Sequence, residues 1–243
     1  MTLPRITGFQ PVRTIPRRPW ALSFALLFLT LCPLAHAEDR APANENQSLP
    51  LLFHEDFKTP EAALKHFTFT DPAAWKIVTD DGRLALSLFQ QSKYKPTVRS
   101  PVNVAWINDL AVTDFILEVR CKITREKIPH RDLCFFFGGV DATHFLYAHV
   151  AQEADAVHNQ IHLVDGKDRA PVTTKRENGT PWDDAYHTIT LTRLTGQTTV
   201  AFDGKTLMTT DRKDLPAGRV GVGSFDDFGN FAAITVWGKK AQP

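Results

Sequence analysis

Charge of one sign, cysteine and helical periodicity are all scarce in this 243-residue chain. Lys and Arg number 28 against 27 Asp and Glu, a formal net charge of +1, whereas nucleic acids and anionic membranes require concentrated positive charge. Neither is an expected partner. The strand signals do not alternate with helical ones, which excludes doubly wound and TIM-barrel architectures. Internal repeats and low-complexity linkers are also missing, so nothing calls for a second domain. The longest apolar run, Trp20 to Leu34, spans about 15 residues, short of the ~20 that a membrane helix needs.

That run has a different use. Arg5, Arg13, Arg17 and Arg18 precede it and Ala35-His36-Ala37 follows with small-x-small form, the pattern of an export signal over residues 1–37. A secreted or periplasmic location is therefore expected, with no stable membrane insertion once the signal is cleaved. Removing residues 1–37 deletes four arginines and no acid, leaving 24 basic against 27 acidic residues, a balance near −3. Residues 38–50 read as a flexible lead-in, 51–238 as one domain and 239–243 as a tail. Of three cysteines, Cys121 and Cys134 remain, one at the end of a predicted strand and one at the start of the next. Both a disulfide in an oxidising compartment and two buried thiols fit that placement.

Short strands bounded by turn residues fill the domain. They are predicted at Leu51–Asp56, Trp75–Thr79, Leu84–Phe89, Phe115–Ile123, Leu133–Val140, His144–Val150, His158–Val164, His187–Leu194, Thr198–Phe202, Val220–Ser224 and Phe231–Trp237. Asp81-Gly82, Gly138-Gly139, Asp165-Gly166, Asn178-Gly179, Asp203-Gly204 and Gly229-Asn230 supply turns. The spacing indicates an all-β sandwich or barrel, with one short helix over Thr59–His66 and a helical turn over Asp71–Trp75. Along Phe115–Ile123 the apolar residues alternate with Glu118, Arg120 and Lys122, which points the charged row away from the core.

The segments LLFHEDF, GRLALSLF, DFILEVR and GRVGVGSFDDFGNFAAITVWG resemble the concanavalin A-like lectin/glucanase superfamily. The resemblance implies an all-β jelly-roll sandwich of two antiparallel sheets over Leu51 to Gly238, with a sugar-binding concave face. That superfamily holds hydrolases, lyases and binding modules alike, so it leaves activity open. The Glu-x-Asp-x-x-Glu strand of its β-glucanases, whose paired acids would share proton donation and attack, has no counterpart here. No cofactor is required. The resemblance does imply a structural calcium, for which Asp56, Asp226 and Asp227 are the available carboxylates, although Ala232 and Ala233 stand where the final-strand aspartate would fall.

The most distinctive segments are THFLYAHV and HNQIHLVD, from Thr143 to Asp165. Alternation places His158, Gln160 and His162 opposite Ile161 and Leu163, and Tyr147 with His149 on the same outward side. His158 and His162, read as one strand, would stand about 13 Å apart and could not share a zinc ion. Gln160-Ile161-His162 is similar to the Q-I-H triplet of jelly-roll alginate lyases, which implies a carboxylate clamp and a proton-abstracting base. The Tyr-x-Lys-Ala-Gly-x-Tyr motif of those enzymes is missing. For catalysis the candidates are therefore His149, His158, His162 and Gln160; for substrate binding, Glu118, Arg120, Arg131, Tyr147 and Arg169. Three readings stand: a carbohydrate-recognising or -processing protein acting on an oligosaccharide or polysaccharide, a uronate polysaccharide lyase, and a non-catalytic envelope interaction module. An open groove would favour the first two, and a blocked one the third.

Overall fold

The computed structural model describes residues 49–241; the expected export signal and most of the lead-in lie outside the described residues. Fifteen strands follow in chain order: β1 (Leu51–Glu55), β2 (Phe67–Phe69), β3 (Trp75–Asp80), β4 (Arg83–Leu88), β5 (Asn103–Ile123), β6 (Asp132–Gly139), β7 (His144–Ala151), β8 (Gln160–Asp165), β9 (Ala170–Pro171), β10 (Lys175–Arg176), β11 (His187–Leu194), β12 (Gln197–Phe202), β13 (Lys205–Thr210), β14 (Gly218–Ser224) and β15 (Gly229–Lys240). One short helix, α1 (Pro60–Ala63), starts at a proline, whose missing N–H costs nothing in the first turn. A 3-10 turn at Pro72–Ala74 is capped by the Asp71 carboxylate, which accepts from the Ala73 N–H. The strand β15 runs on to Lys240, so the chain from 239 is not simply a tail.

The strands form a single continuous antiparallel sheet in which β5 is the hinge. At 21 residues, β5 would be roughly 70 Å long if straight, more than the ~40 Å breadth of a domain this size. It must bend. Asp109 sits there with φ 54, and the pairing with β14 breaks register across the same stretch. Before the bend β5 pairs with β2; beyond it, with β11 and β15, while β14 follows it across the bend from Asn103 to Val112. The sheet thus curls around one core, its two halves continuous through β5. That core collects Ala105 and Ile107 from one half of β5, Leu117 and Val119 from the other, and Phe135, Ala148, Ile161 and Val222 from the neighbouring strands.

A second, smaller cluster covers the opposite face of the β5–β14–β6–β7–β8 half. Val104, Trp106, Cys134, Phe136, Phe145, Tyr147 and Val164 are all buried there. Gly139 is required beneath Trp106, because a Cβ at that position would lie 2.6 Å from the indole ring. Trp75, Trp106 and Trp182 are all packing residues, none more than 7% exposed. Cys121 belongs to the main core and Cys134 to the outer cluster, on opposite faces of the sheet. Both thiols are free, so the disulfide considered from sequence does not form.

Candidate functional site

The sheet register sets the site. In β6 and β7, Cys134 faces His149 and Phe136 faces Tyr147; in β7 and β8, Tyr147 faces His162 and His149 faces Gln160. Strand alternation therefore places all of these away from the main core, as expected. Their exposure differs from expectation. Tyr147 and His162 are fully buried, Gln160 is 8% exposed and His149 1% exposed. The loops close over them: Arg169 donates to the Tyr147 hydroxyl at 3.0 Å and lies 4.2 Å over the Phe225 ring. His162 donates from Nε2 to the Val157 carbonyl at 2.8 Å, and burial lowers its pKa to about 3. A neutral imidazole sealed in this way does not face solvent as a base. Burial likewise pushes the Tyr147 phenol far above its ordinary range.

A cavity of about 250 Å³ opens at the edge of this covered face. Loops supply most of its wall: Arg99 precedes β5, Arg125, Ile128 and His130 lie between β5 and β6, and Phe225, Asp226 and Asp227 lie between β14 and β15. Asp132 and His149 form the floor, with Val157, His158 and Arg169 completing the wall. Asn159, at φ 52, precedes β8 and leaves His158 in the β7–β8 loop instead of on the strand. Its ring stacks on His130 at 4.4 Å and approaches His149 at 5.1 Å. The 13 Å separation expected for a shared strand therefore does not apply to His158. Its Nδ1 lies 2.7 Å from Asp155; burial works against that carboxylate's charge, but His158 and two backbone N–H groups hold its pKa well below the ordinary range.

The acids of the cavity are unequal. Asp227 is 2% exposed, accepts from the Asp132 backbone N–H at 2.8 Å and pairs with Arg125 at 2.9 Å. Burial, then the nearby Asp132 charge, raises its pKa to about 6. Burial also opposes the charge on Asp132, but His149 and the hydrogen bonds around it outweigh that and hold its pKa below the usual value. Asp226 is exposed at the rim. The guanidiniums of Arg169 and Arg99 carry no carboxylate partner among the described residues, Arg99 meeting Asp168 through its backbone N–H alone, whereas Arg125 is neutralised by Asp227.

Of the sequence candidates, the structure gathers His149, His158, Arg169, Asp226 and Asp227 at one cavity. Arg131 is 1% exposed and spent on Gln152 and the Trp182 carbonyl, which makes it a structural tie. Glu118 and Arg120 stand beyond the bend of β5, opposite Thr190 and Thr188 of β11, and do not line the cavity. Asp56 is paired with Lys58. Among the described residues the carboxylates that meet are Asp132, Asp226 and Asp227, without Asp56. Sequence reasoning missed Arg99, Arg125, His130, Asp132 and Phe225. Only Asp132 carried a local signal, since it shares strand parity with Cys134.

The sequence matches no family model and no curated protein. Its fold does match solved structures. Domain 4 of the GH43 extracellular arabinanase AbnA from Geobacillus stearothermophilus, solved with arabinotriose, aligns with TM-score 0.55 at 9% identity over 81% of this chain and 96% of that one. The carbohydrate-binding module CBM66 from Bacillus subtilis aligns at 0.51 and 11% identity, over 71% and 95%. A protein of unknown function with a galectin-like fold from Bacillus subtilis aligns at 0.54 and 13% identity, over 79% and 98%. Identities this low establish a shared β-rich fold. Among the described residues, no helix is long and apolar enough to cross a membrane.

Proposed function

We propose that the chain is an exported carbohydrate-binding protein that holds the terminal residue of a glycan in the 250 Å³ cavity, with a preference for an acidic sugar. The observation that carries this is the pair of guanidiniums, Arg99 and Arg169, at a cavity where neither has a carboxylate counter-ion among the described residues. Guanidinium donors match a sugar carboxylate in two-point geometry, while Asp226, His130 and His158 can bond hydroxyls. The volume lies below the ~300–1,000 Å³ of pockets for drug-sized ligands, which favours one sugar residue over a chain laid along a groove. Fold likeness to sugar-associated domains supports the same reading by analogy, and within it we take the curled sheet as a concanavalin A-like jelly-roll.

Binding is favoured over lyase chemistry because Gln160 and His162, the residues of the lyase-like triplet, are buried under the loops. Calorimetric titration with uronic-acid and neutral oligosaccharides tests the proposal, with reducing ends and unsaturated products followed in parallel. Acidic oligosaccharides should bind at least tenfold more tightly than neutral ones, and Arg99→Ala should remove that preference. Equal affinity for the two classes, or a preference unchanged in Arg99→Ala, would defeat it.

A further inference from the structure

The floor of the cavity carries a separate signal that does not depend on which glycan is bound. His149 Nδ1 lies 3.0 Å from the Val157 carbonyl oxygen. A carbonyl only accepts, so Nδ1 carries the hydrogen and the lone pair of a neutral ring is left on Nε2. Nε2 is buried without a hydrogen-bond partner, yet it sits 3.1 Å from Asp132 Oδ2. That separation suits an ion pair, although the angles do not meet those of a hydrogen bond. Two electron-rich atoms facing one another in a dry interior repel unless a cation lies between them, either a proton on Nε2, as in an ion pair with Asp132, or a metal ion.

Cys134 completes the set. Its Sγ is 3.6 Å from Asp132 Oδ1, and one donor atom each from Asp132, Cys134 and His149 fall within 4.8 Å of one another. All three residues are at most 2% exposed. They are brought together by register, Cys134 facing His149 across β6 and β7 with Asp132 two residues before Cys134 on the same face. Tetrahedral zinc, with bonds of about 2.0–2.3 Å, holds its donors roughly 3.3–3.8 Å apart; the two separations above are of that order and run to the two different oxygens of Asp132, Oδ2 for His149 and Oδ1 for Cys134. The hydrogen bond from the far ring nitrogen to a backbone carbonyl is the arrangement that orients a metal-binding histidine.

We propose that Asp132, Cys134 and His149 bind a divalent transition metal of the zinc type at the cavity floor, with the fourth position facing the cavity. Sulfur, nitrogen and carboxylate donors together suit zinc and are foreign to calcium. One thiolate, one carboxylate and a neutral imidazole balance a dication, which a buried site favours. On loading, the thiol S–H of Cys134 breaks and its proton leaves to water, together with any proton held between His149 and Asp132. Asp226 and Asp227 form a second group with Asp132, one carboxylate oxygen of each lying within 4.8 Å of the others.

The test is titration of the chelator-treated, full-length chain with cobalt(II) chloride, followed by zinc chloride competition. One cobalt per chain should bind, with a thiolate-to-cobalt charge-transfer band in the near ultraviolet that zinc abolishes. Cys134→Ala should lose the band and bind at least tenfold more weakly, while Cys121→Ala should keep both. Thermal melts guard against misfolding: added zinc should raise the melting temperature of the wild type and leave that of folded Cys134→Ala unmoved. The proposal is overturned if the folded wild type binds no cobalt, or if the band survives in Cys134→Ala. It is also overturned if nitrogen-15 spectra show His149 as an imidazolium that added zinc does not change, since a proton would then be the bridging cation.

Discussion

The two faces of β6, β7 and β8 are buried to nearly the same extent and built from different chemistry. Toward the main core they bury Leu133, Phe135, Phe137, Leu146, Ala148, Val150 and Ile161, and the polar residues of the same parity, His144 and Asp165, stand at the unburied strand ends. On the other face apolar Phe136 and Phe145 give way to Tyr147, His149, Gln160, His162 and Asp132 as the cavity is approached. Burying those groups requires a loop partner for each, such as the Val157 carbonyl shared by His149 and His162. Apolar residues of similar volume would give the same coverage without that requirement. The inner face therefore accounts for stability, and the polar end of the outer face is where function is to be sought.

The strongest way to sharpen the contrast is to damage the inner face. Phe135→Ala removes a fully buried ring from the main core and should lower unfolding free energy by about 3–5 kcal/mol, measured by urea denaturation. A variant losing under 1 kcal/mol would show that the inner face does not dominate. A smaller effect comes from the outer face in acid. His162 is depressed from 6.5 to about 3 by burial, so the unfolded chain binds the proton first and stability falls as pH drops below 6.5. The effect amounts to at most roughly 3 kcal/mol by pH 4. Asp227, raised to about 6, acts with the opposite sign between pH 4 and 6, which makes the wild-type curve a poor guide by itself. His162→Phe, retaining a ring to stack on Tyr147, should give an offset from wild type that changes with pH over this window. A pH-independent offset would mean that His162 is not the titrating group.

Much of this fold was legible because strand alternation and turn chemistry are local. Eleven strands were expected close to where they lie, and β11 matches its expected bounds of His187–Leu194. The first half of β5 was missed, because Asn103 to Ile107 is buried on both faces and shows no alternation. The same property hid the outer cluster. DLCFFFGG in β6 is buried at every position, the pattern of a strand covered on two sides, and a covered face cannot be the open groove that the histidines suggested. Orientation of Tyr147, His149 and Gln160 followed correctly from parity. Exposure did not, since it depends on Arg169 and Phe225, far away in sequence and on loops whose paths leave no periodic trace.

A milder intervention separates packing from polarity within the outer face itself. Tyr147→Phe leaves the ring against Phe136 and His162 and deletes only the hydroxyl that accepts from Arg169. The cost should be about 1.5–2 kcal/mol, the low end for a hydrogen bond to a charged group because the half-buried Arg169 can turn to water, and Arg169 should lose its fixed position at the cavity. Acidic-sugar affinity should then fall several-fold; a full loss of stability comparable to that of Phe135→Ala would erase the distinction between the faces.

The smallest stability change is expected at the rim. Arg99 is exposed and lines the cavity, while the contacts at that residue are made by its backbone, with N–H donating to Asp168 and the carbonyl accepting from Arg169. Truncation to alanine preserves both, so the unfolding free energy should move by no more than about 0.5 kcal/mol. A rim guanidinium acts on ligand charge over a distance that salt shortens to ~8 Å at physiological ionic strength. The binding defect of Arg99→Ala should accordingly be largest at low salt and shrink as salt is added. A defect that ignores salt would assign Arg99 to shaping the loop, and would return the charge preference to Arg169 alone.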